Sequence, residues 1–146
     1  MTFNRKFAGL MLALTLAATG LAVRSMLVPV VHAQSTRVFE MRTYYAAEGK
    51  FDALKARFRD HTIRSFNKHG MVSIGYWTPQ AGQSIAPNTL VYILAHPSRE
   101  AATKAWAAFN ADPEWVKAKA ESEKDGRLIA KVESVFLDPT DFSAIK

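Results

Sequence analysis

Between residues 37 and 137 the spacing of apolar residues switches from two to about 3.6 and back, and then does so again. Residues 37–45 (RVFEMRTYY) alternate and are rich in β-branched and aromatic types, which predicts a strand. Phe39, Met41 and Thr43 fall on one face of it, with Glu40, Arg42 and Tyr44 on the other. From residue 49 to 69, apolar Phe51, Leu54, Phe58, Ile63 and Phe66 recur near helical spacing, and Gly70 stands where a C′ glycine ends a helix. This predicts an amphipathic helix of about five turns. Strands follow over 71–78 and 88–96, joined by a long turn rich in Gly, Pro, Gln and Ser, which predicts an antiparallel hairpin. Ala102, Ala105, Trp106 and Phe109 then sit at i, i+3, i+4 and i+7, turning two large rings toward a core. At Asp112-Pro113-Glu114 the helix restarts, with Asp as N-cap, Pro where no N–H is needed and Glu at the positive dipole end. That second helix should run to Lys124 or Asp125 and stop at Gly126, before a fourth strand over 128–137 that Pro139 ends. Two strand-helix-strand units with a central hairpin give the split βαβ, ferredoxin-like pattern. It is an α+β fold in which two helical segments cover one face of a four-stranded antiparallel sheet. If Phe39 and Met41 face the helices, then Glu40, Arg42 and Tyr44, with Trp77 and Tyr92, line the uncovered face.

The segment before this domain reads as an address. Asn4-Arg5-Lys6-Phe7 is a short basic start, residues 8–23 are an unbroken apolar stretch, and Val31-His32-Ala33 is a small-residue cleavage pattern. The apolar run is 16 residues, short of the roughly 20 of a transmembrane helix. We therefore expect residues 1–33 to be a secretory signal peptide, and residues 34–146 to be one domain working outside the cytoplasm, in a bacterial periplasm or secreted. Membrane attachment follows only if the leader stays uncleaved. Of 19 Lys and Arg against 13 Asp and Glu, three bases and no acid lie in the leader, so the domain carries +3 rather than +6. That charge, without a basic stripe, argues against nucleic acid. There is no cysteine, which removes disulfides, thiolate metal sites, iron–sulfur clusters and cysteine nucleophiles.

Nine short blocks then carry a resemblance: FEMRTY at 39–44, FRDHT at 58–62, KHG at 68–70, GYWT at 75–78, NTLVY at 88–92, WAAF at 106–109, ADPEW at 111–115, SEKDG at 122–126 and LDPTDFS at 137–143. In this order they resemble the NIPSNAP family. The resemblance implies a dimeric α/β barrel, in which the sheets of two subunits close on each other, so the expected partner is a second copy. It also marks two departures. The family usually has an arginine about four residues before the tryptophan of WAAF, where this chain has Ala102, with Arg99 three positions earlier. The third strand ends in His96, where an aromatic residue is common.

Candidate functional residues follow from both lines. Glu40 and Arg42 alternate on one face, so they can anchor a polar ligand in a cavity, with Tyr44 as donor or stacking surface; the alternative is an ion network that fixes subunit pairing. Arg42, Tyr44, Trp77 and Tyr92 are the ligand-binding candidates. His61, three residues after Phe58, is expected on or beside the buried helix face, as a structural histidine or a proton-transfer group. Glu40, Arg42, Tyr44 and His61 are thus the catalytic candidates. His69 is expected to sit against the negative end of the helix dipole, and Trp106 to be a packing residue. No metal site is expected, because His61 and His69 lie eight residues apart and share no helix face. No cofactor is expected either; haem, used by related barrels, is an alternative with only His61, His69 and His96 as axial candidates outside the leader. Ser73, His61 and Asp60 lack the strand-turn-helix setting of a hydrolase nucleophile. The expectation is an exported homodimer binding a small, partly apolar molecule in a barrel cavity, with no reaction assigned. A cofactor-independent monooxygenase or isomerase and a non-catalytic scaffold are the alternatives.

Overall fold

The computed structural model describes residues 37–146; the signal peptide expected over 1–33 lies outside them. Strand β1 (Val38–Ala46) leads into a helix wound as α1 (Phe51–Arg57), a π turn (Phe58–Thr62) and α2 (Ile63–Lys68). Strands β2 (Val72–Trp77) and β3 (Thr89–His96) form the central hairpin. Helices α3 (Arg99–Ala111) and α4 (Pro113–Ser122) and strand β4 (Ile129–Leu137) complete the chain. The sheet order is β2-β3-β1-β4, antiparallel throughout, with the helices on one face. This is the ferredoxin-like α+β architecture that the alternating periods predict.

The local signals act as the chemistry requires. Gly70 takes φ 72°, and the N–H groups of Gly70 and Met71 reach back to the carbonyls of Asn67 and Phe66, closing the first helix. Asp112 caps α4 by accepting from Glu114 N–H at 2.9 Å, with Pro113 beside it. Its other oxygen meets His69 Nε2 at 2.8 Å and Lys68 Nζ at 2.9 Å, so one carboxylate ties the end of the first helix to the start of the last. Lys68 and His69 hold that carboxyl well below the usual carboxylate range. A group depressed in this way contributes stability above its unfolded pKa and loses it as the pH falls. Asp112→Ala should therefore lower the melting temperature by several degrees at pH 7. Melts at successively lower pH should show the gap to the parent closing, and a constant gap would contradict the latch. Helix α4 stops at Ser122, short of the expected Lys124 or Asp125, where the Ser122 hydroxyl donates to the Lys119 carbonyl at 2.8 Å.

The two faces of β1 are the reverse of the expectation. Glu40, Arg42 and Tyr44 point under the helices, whereas Phe39, Met41 and Thr43 lie on the uncovered face. The neighbouring strand decides this: Arg42 pairs with Tyr92 and Glu40 with Leu94, both fully buried beneath the helices. Two polar residues tolerate that position because they neutralise each other. Phe39 is buried all the same, since residues 138–145 fold back beside it and Pro139 and Ile145 join Ile74 and Ile93 in an apolar hollow. Trp77 does lie on the uncovered face, half exposed, its ring seated over Gly75, where a Cβ would stand 2.6 Å from it. Tyr92 does not; its ring belongs to the core, 5.2 Å from Phe58 and 5.3 Å from Tyr44.

Candidate functional site

Strand β1 brings Glu40, Arg42 and Tyr44 to one wall at the alternate spacing of a strand, facing α3 and, through β4, Ser134. The Glu40 carboxylate is 1% exposed and almost saturated. Its Oε1 accepts from Arg42 Nη1 at 2.6 Å and Ser134 Oγ at 2.7 Å. Its Oε2 accepts from Trp106 Nε1 at 2.6 Å and lies 3.3 Å from His96 Nε2. Burial raises its pKa, but the contacts from His96, Trp106, Ser134 and Arg42 outweigh that and bring it down to about 2. A carboxylate held so low is a weak base at neutral pH. Glu40 is therefore built to orient Arg42 and Trp106.

Arg42 emerges from this network with its guanidinium carbon 4.2 Å from the centre of the Trp106 ring. A second arginine, Arg57 of α1, repeats the arrangement. It is 4% exposed, its Nη1 donates to Glu123 Oε1 at 2.8 Å, and its guanidinium carbon lies 5.5 Å from the Trp115 ring centre. Both Nε atoms are buried without a hydrogen-bond partner among the described residues. Between the sheet and the helices lies a cavity of about 320 Å³, lined among others by Arg42, Arg57, Tyr44, Trp106, Phe109 and Trp115. Its volume is at the lower end of small-molecule sites, and its exposed lining is more polar than apolar, with Arg42, Arg57, Asn110, Glu123 and Lys131 set among the aromatic rings. Exposed Lys119 and Arg127 also border it.

The remaining candidates separate from this cavity. His61 is exposed and does not line it, contrary to the expectation that it lies on or beside the buried helix face. The cause is the π turn, where Ile63 N–H bonds to the Phe58 carbonyl five residues back; the wider winding leaves His61 outside and Thr62 inside. His69 is held by Asp112, and His96 is buried against Glu40; neither borders the cavity. Ala102 is buried in α3, and the guanidinium carbon of Arg99 stacks 3.5 Å from the Phe136 ring centre, away from the cavity lining. Tyr92 is enclosed, its hydroxyl without a hydrogen-bond partner among the described residues, and burial pushes that hydroxyl well above its usual pKa. Tyr92→Phe should be neutral or stabilise the fold by up to about 1 kcal/mol, because it removes an unsatisfied buried group. A loss above 1 kcal/mol in urea unfolding would mean that the hydroxyl has a partner in solution.

Sequence reasoning missed Arg57 and the second role of Trp106, whose indole N–H holds Glu40 while its ring carries Arg42. Arg57 had a signal: it sits three residues after Leu54 and one before Phe58, on the stripe that the helix buries. An arginine there needs a carboxylate partner, and Glu123 supplies it.

A ferredoxin-like sheet with a helix-covered aromatic cavity defines the structural class. Within that class, the NIPSNAP family model matches residues 39–144, and the chain belongs to the NIPSNAP family. It is similar to a NIPSNAP family protein of unknown function from Agrobacterium tumefaciens strain C58, with 27% identity, a TM-score of 0.65, and coverage of 79% of this chain and 98% of that one. It is also similar in fold to an uncharacterised NIPSNAP domain protein from Burkholderia xenovorans, with 24% identity, a TM-score of 0.61, and coverage of 73% and 97%. No curated protein matches the chain.

Proposed function

We propose that this protein is an exported, homodimeric ligand-binding protein, each subunit of which takes a small, partly apolar molecule into the cavity between its sheet and its helices. The observation that carries the proposal is the cavity itself, about 320 Å³ with Trp106, Phe109 and Trp115 on its walls, the buried Arg57 and the partly buried Arg42 among them. A recess of this size, open to solvent between sheet and helices and bordered by prefixed polar groups, is suited to an occupant. Glu40, saturated by its partners, supports binding ahead of proton abstraction at this wall.

Export rests on the basic start, apolar stretch and small-residue pattern of residues 1–33. Dimerisation rests on the uncovered sheet face and the strand edge, where Val72, Trp77, Val135 and Leu137 are each 40–50% exposed. Apolar surface of that kind favours association. Native mass spectrometry of the protein purified gently from the periplasm tests all three parts. The expected species is a leaderless dimer carrying extra mass. A monomer overturns the paired assembly, an intact leader overturns cleavage, and a protein that stays bare when small apolar molecules are supplied overturns the binding function.

A further inference from the structure

The recess between the sheet and the helices gathers charge of one sign. Outside the leader the chain has 16 basic and 13 acidic residues, yet the lining takes five bases, Arg42, Arg57, Lys119, Arg127 and Lys131, and one acid, Glu123. Three of the five bases are already answered, Arg42 by Glu40, Arg57 by Glu123 and Lys131 by Glu133. Their charges cancel locally, and the Nε atoms of the two arginines are buried, out of reach of an entering molecule. Lys119 and Arg127 differ. Both are exposed at the rim, and neither has a carboxylate within ion-pair distance among the described residues. They come from α4 and from the turn before β4, so two elements bring uncompensated positive charge to one opening. Like charges set at one opening repel each other, and they raise the local concentration of anions. The exposed lining is more polar than apolar, so a charged group can rest there and keep part of its hydration.

Resting on the binding function proposed above, we propose that the polar part of the bound molecule carries two negative charges, as a phosphate monoester or a pair of carboxylates does, and that Lys119 and Arg127 receive it at the rim. Two is the number of lining bases that the protein itself leaves uncompensated. A phosphate monoester, at about −1.5 to −2 near pH 7, matches that charge. A neutral molecule leaves both bases unanswered, and a cation adds to their repulsion. Glu40, Glu123 and Glu133 each hold a base of their own, so none of them competes for the rim pair. Contacts to exposed, flexible bases are individually modest and are screened by salt, which gives the assignment a signature of its own.

Tryptophan fluorescence titration of the purified protein at pH 7 tests this, because Trp106 and Trp115 line the recess. The probes share one ring and differ in charge: phenyl phosphate and phthalate with two, benzoate with one, benzyl alcohol with none. At low salt the tighter of the doubly charged probes should bind at least about fivefold more tightly than benzyl alcohol, with benzoate between them. Which of phenyl phosphate and phthalate leads tells a phosphate from a pair of carboxylates. Salt at about 0.3 M should remove most of the difference. Replacing Lys119→Gln and Arg127→Gln together should leave the melting temperature near the parent's, bring every charged probe to within about twofold of benzyl alcohol, and leave benzyl alcohol itself unchanged. Lys104→Gln, at an exposed base of α3 outside the lining, should change none of these affinities. Benzyl alcohol or benzoate as tight as the doubly charged probes, a salt-independent preference, or a double variant that keeps the preference each overturns the charge assignment and leaves the recess as a binding site. An extra mass in native mass spectrometry that proves to be an uncharged molecule does the same. Failure of every probe, together with a bare dimer in native mass spectrometry, overturns the binding function instead.

Discussion

Glu40→Ala is expected to lower the unfolding free energy by about 3–5 kcal/mol, the range for removing one partner of a buried ion pair. The substitution strands the Arg42 guanidinium under the helices and takes the acceptor from Trp106 Nε1 and Ser134 Oγ together. Urea unfolding at pH 7 measures the effect. A second substitution, Arg42→Leu, should recover a good part of it, because the stranded charge goes too. The same carboxylate contributes to acid lability. Its pKa falls from an ordinary 4.5 to about 2 in the fold, so its contribution is complete above about 4.5 and is lost as the pH drops toward 2. Glu40→Ala should unfold with a flatter pH dependence across that window. A cost under 1 kcal/mol, with unchanged acid behaviour, would show that the network does not hold in solution.

Phe66→Ala should cost about as much, roughly 3–5 kcal/mol, for a different reason. The Phe66 ring is 1% exposed and meets Phe109 at 5.1 Å, Trp106 at 5.5 Å, Tyr92 at 5.8 Å and Phe58 at 6.3 Å. It joins the first helix, the sheet and α3 through one side chain, so truncation removes transfer energy and leaves a void that three elements must collapse to fill. Because Phe66 also borders the cavity, the void opens into it, and tryptophan emission should shift to the red as water reaches the rings. Phe142→Ala, at an 85% exposed ring, is the matched control and should change stability by no more than about 0.5 kcal/mol.

What the sequence revealed depended on how local the physics was. The restart at Asp112-Pro113-Glu114 was legible because cap, proline and dipole act within one turn. Strand order followed from the sequence of periods, since few connections satisfy two strand-helix-strand units. The facing of β1 was not legible. Hydropathy assigns a row containing Glu40 and Arg42 to solvent, and only the register with Tyr92, Leu94 and Ser134 shows that the pair lies under the helices, Glu40 buried and Arg42 partly so. Glu40, Arg42 and Tyr44 were thus grouped correctly from their spacing and placed on the wrong side. Tyr92 followed them inward, and Trp77, one step out of phase with Tyr76 on β2, stayed outside. Arg57 escaped because its carboxylate, Glu123, is 66 positions away in the chain.

The π turn has a bearing on chain length. Its helix buries Leu54, Phe58, Thr62 and Phe66, spaced every four residues, and at 3.6 residues per turn each such step overruns a full turn by about 40°. One wide turn takes up the accumulated excess, so the helix behaves as a vernier with a single surplus residue stored in its exposed Arg59-Asp60-His61 segment. Deleting one of those three should let the turn rewind as α and keep the rings in place, whereas deleting a residue between Leu54 and Phe58 rotates every ring that follows. Length variation in this helix is thereby directed to one short exposed stretch, and the cavity wall on its inner side is spared.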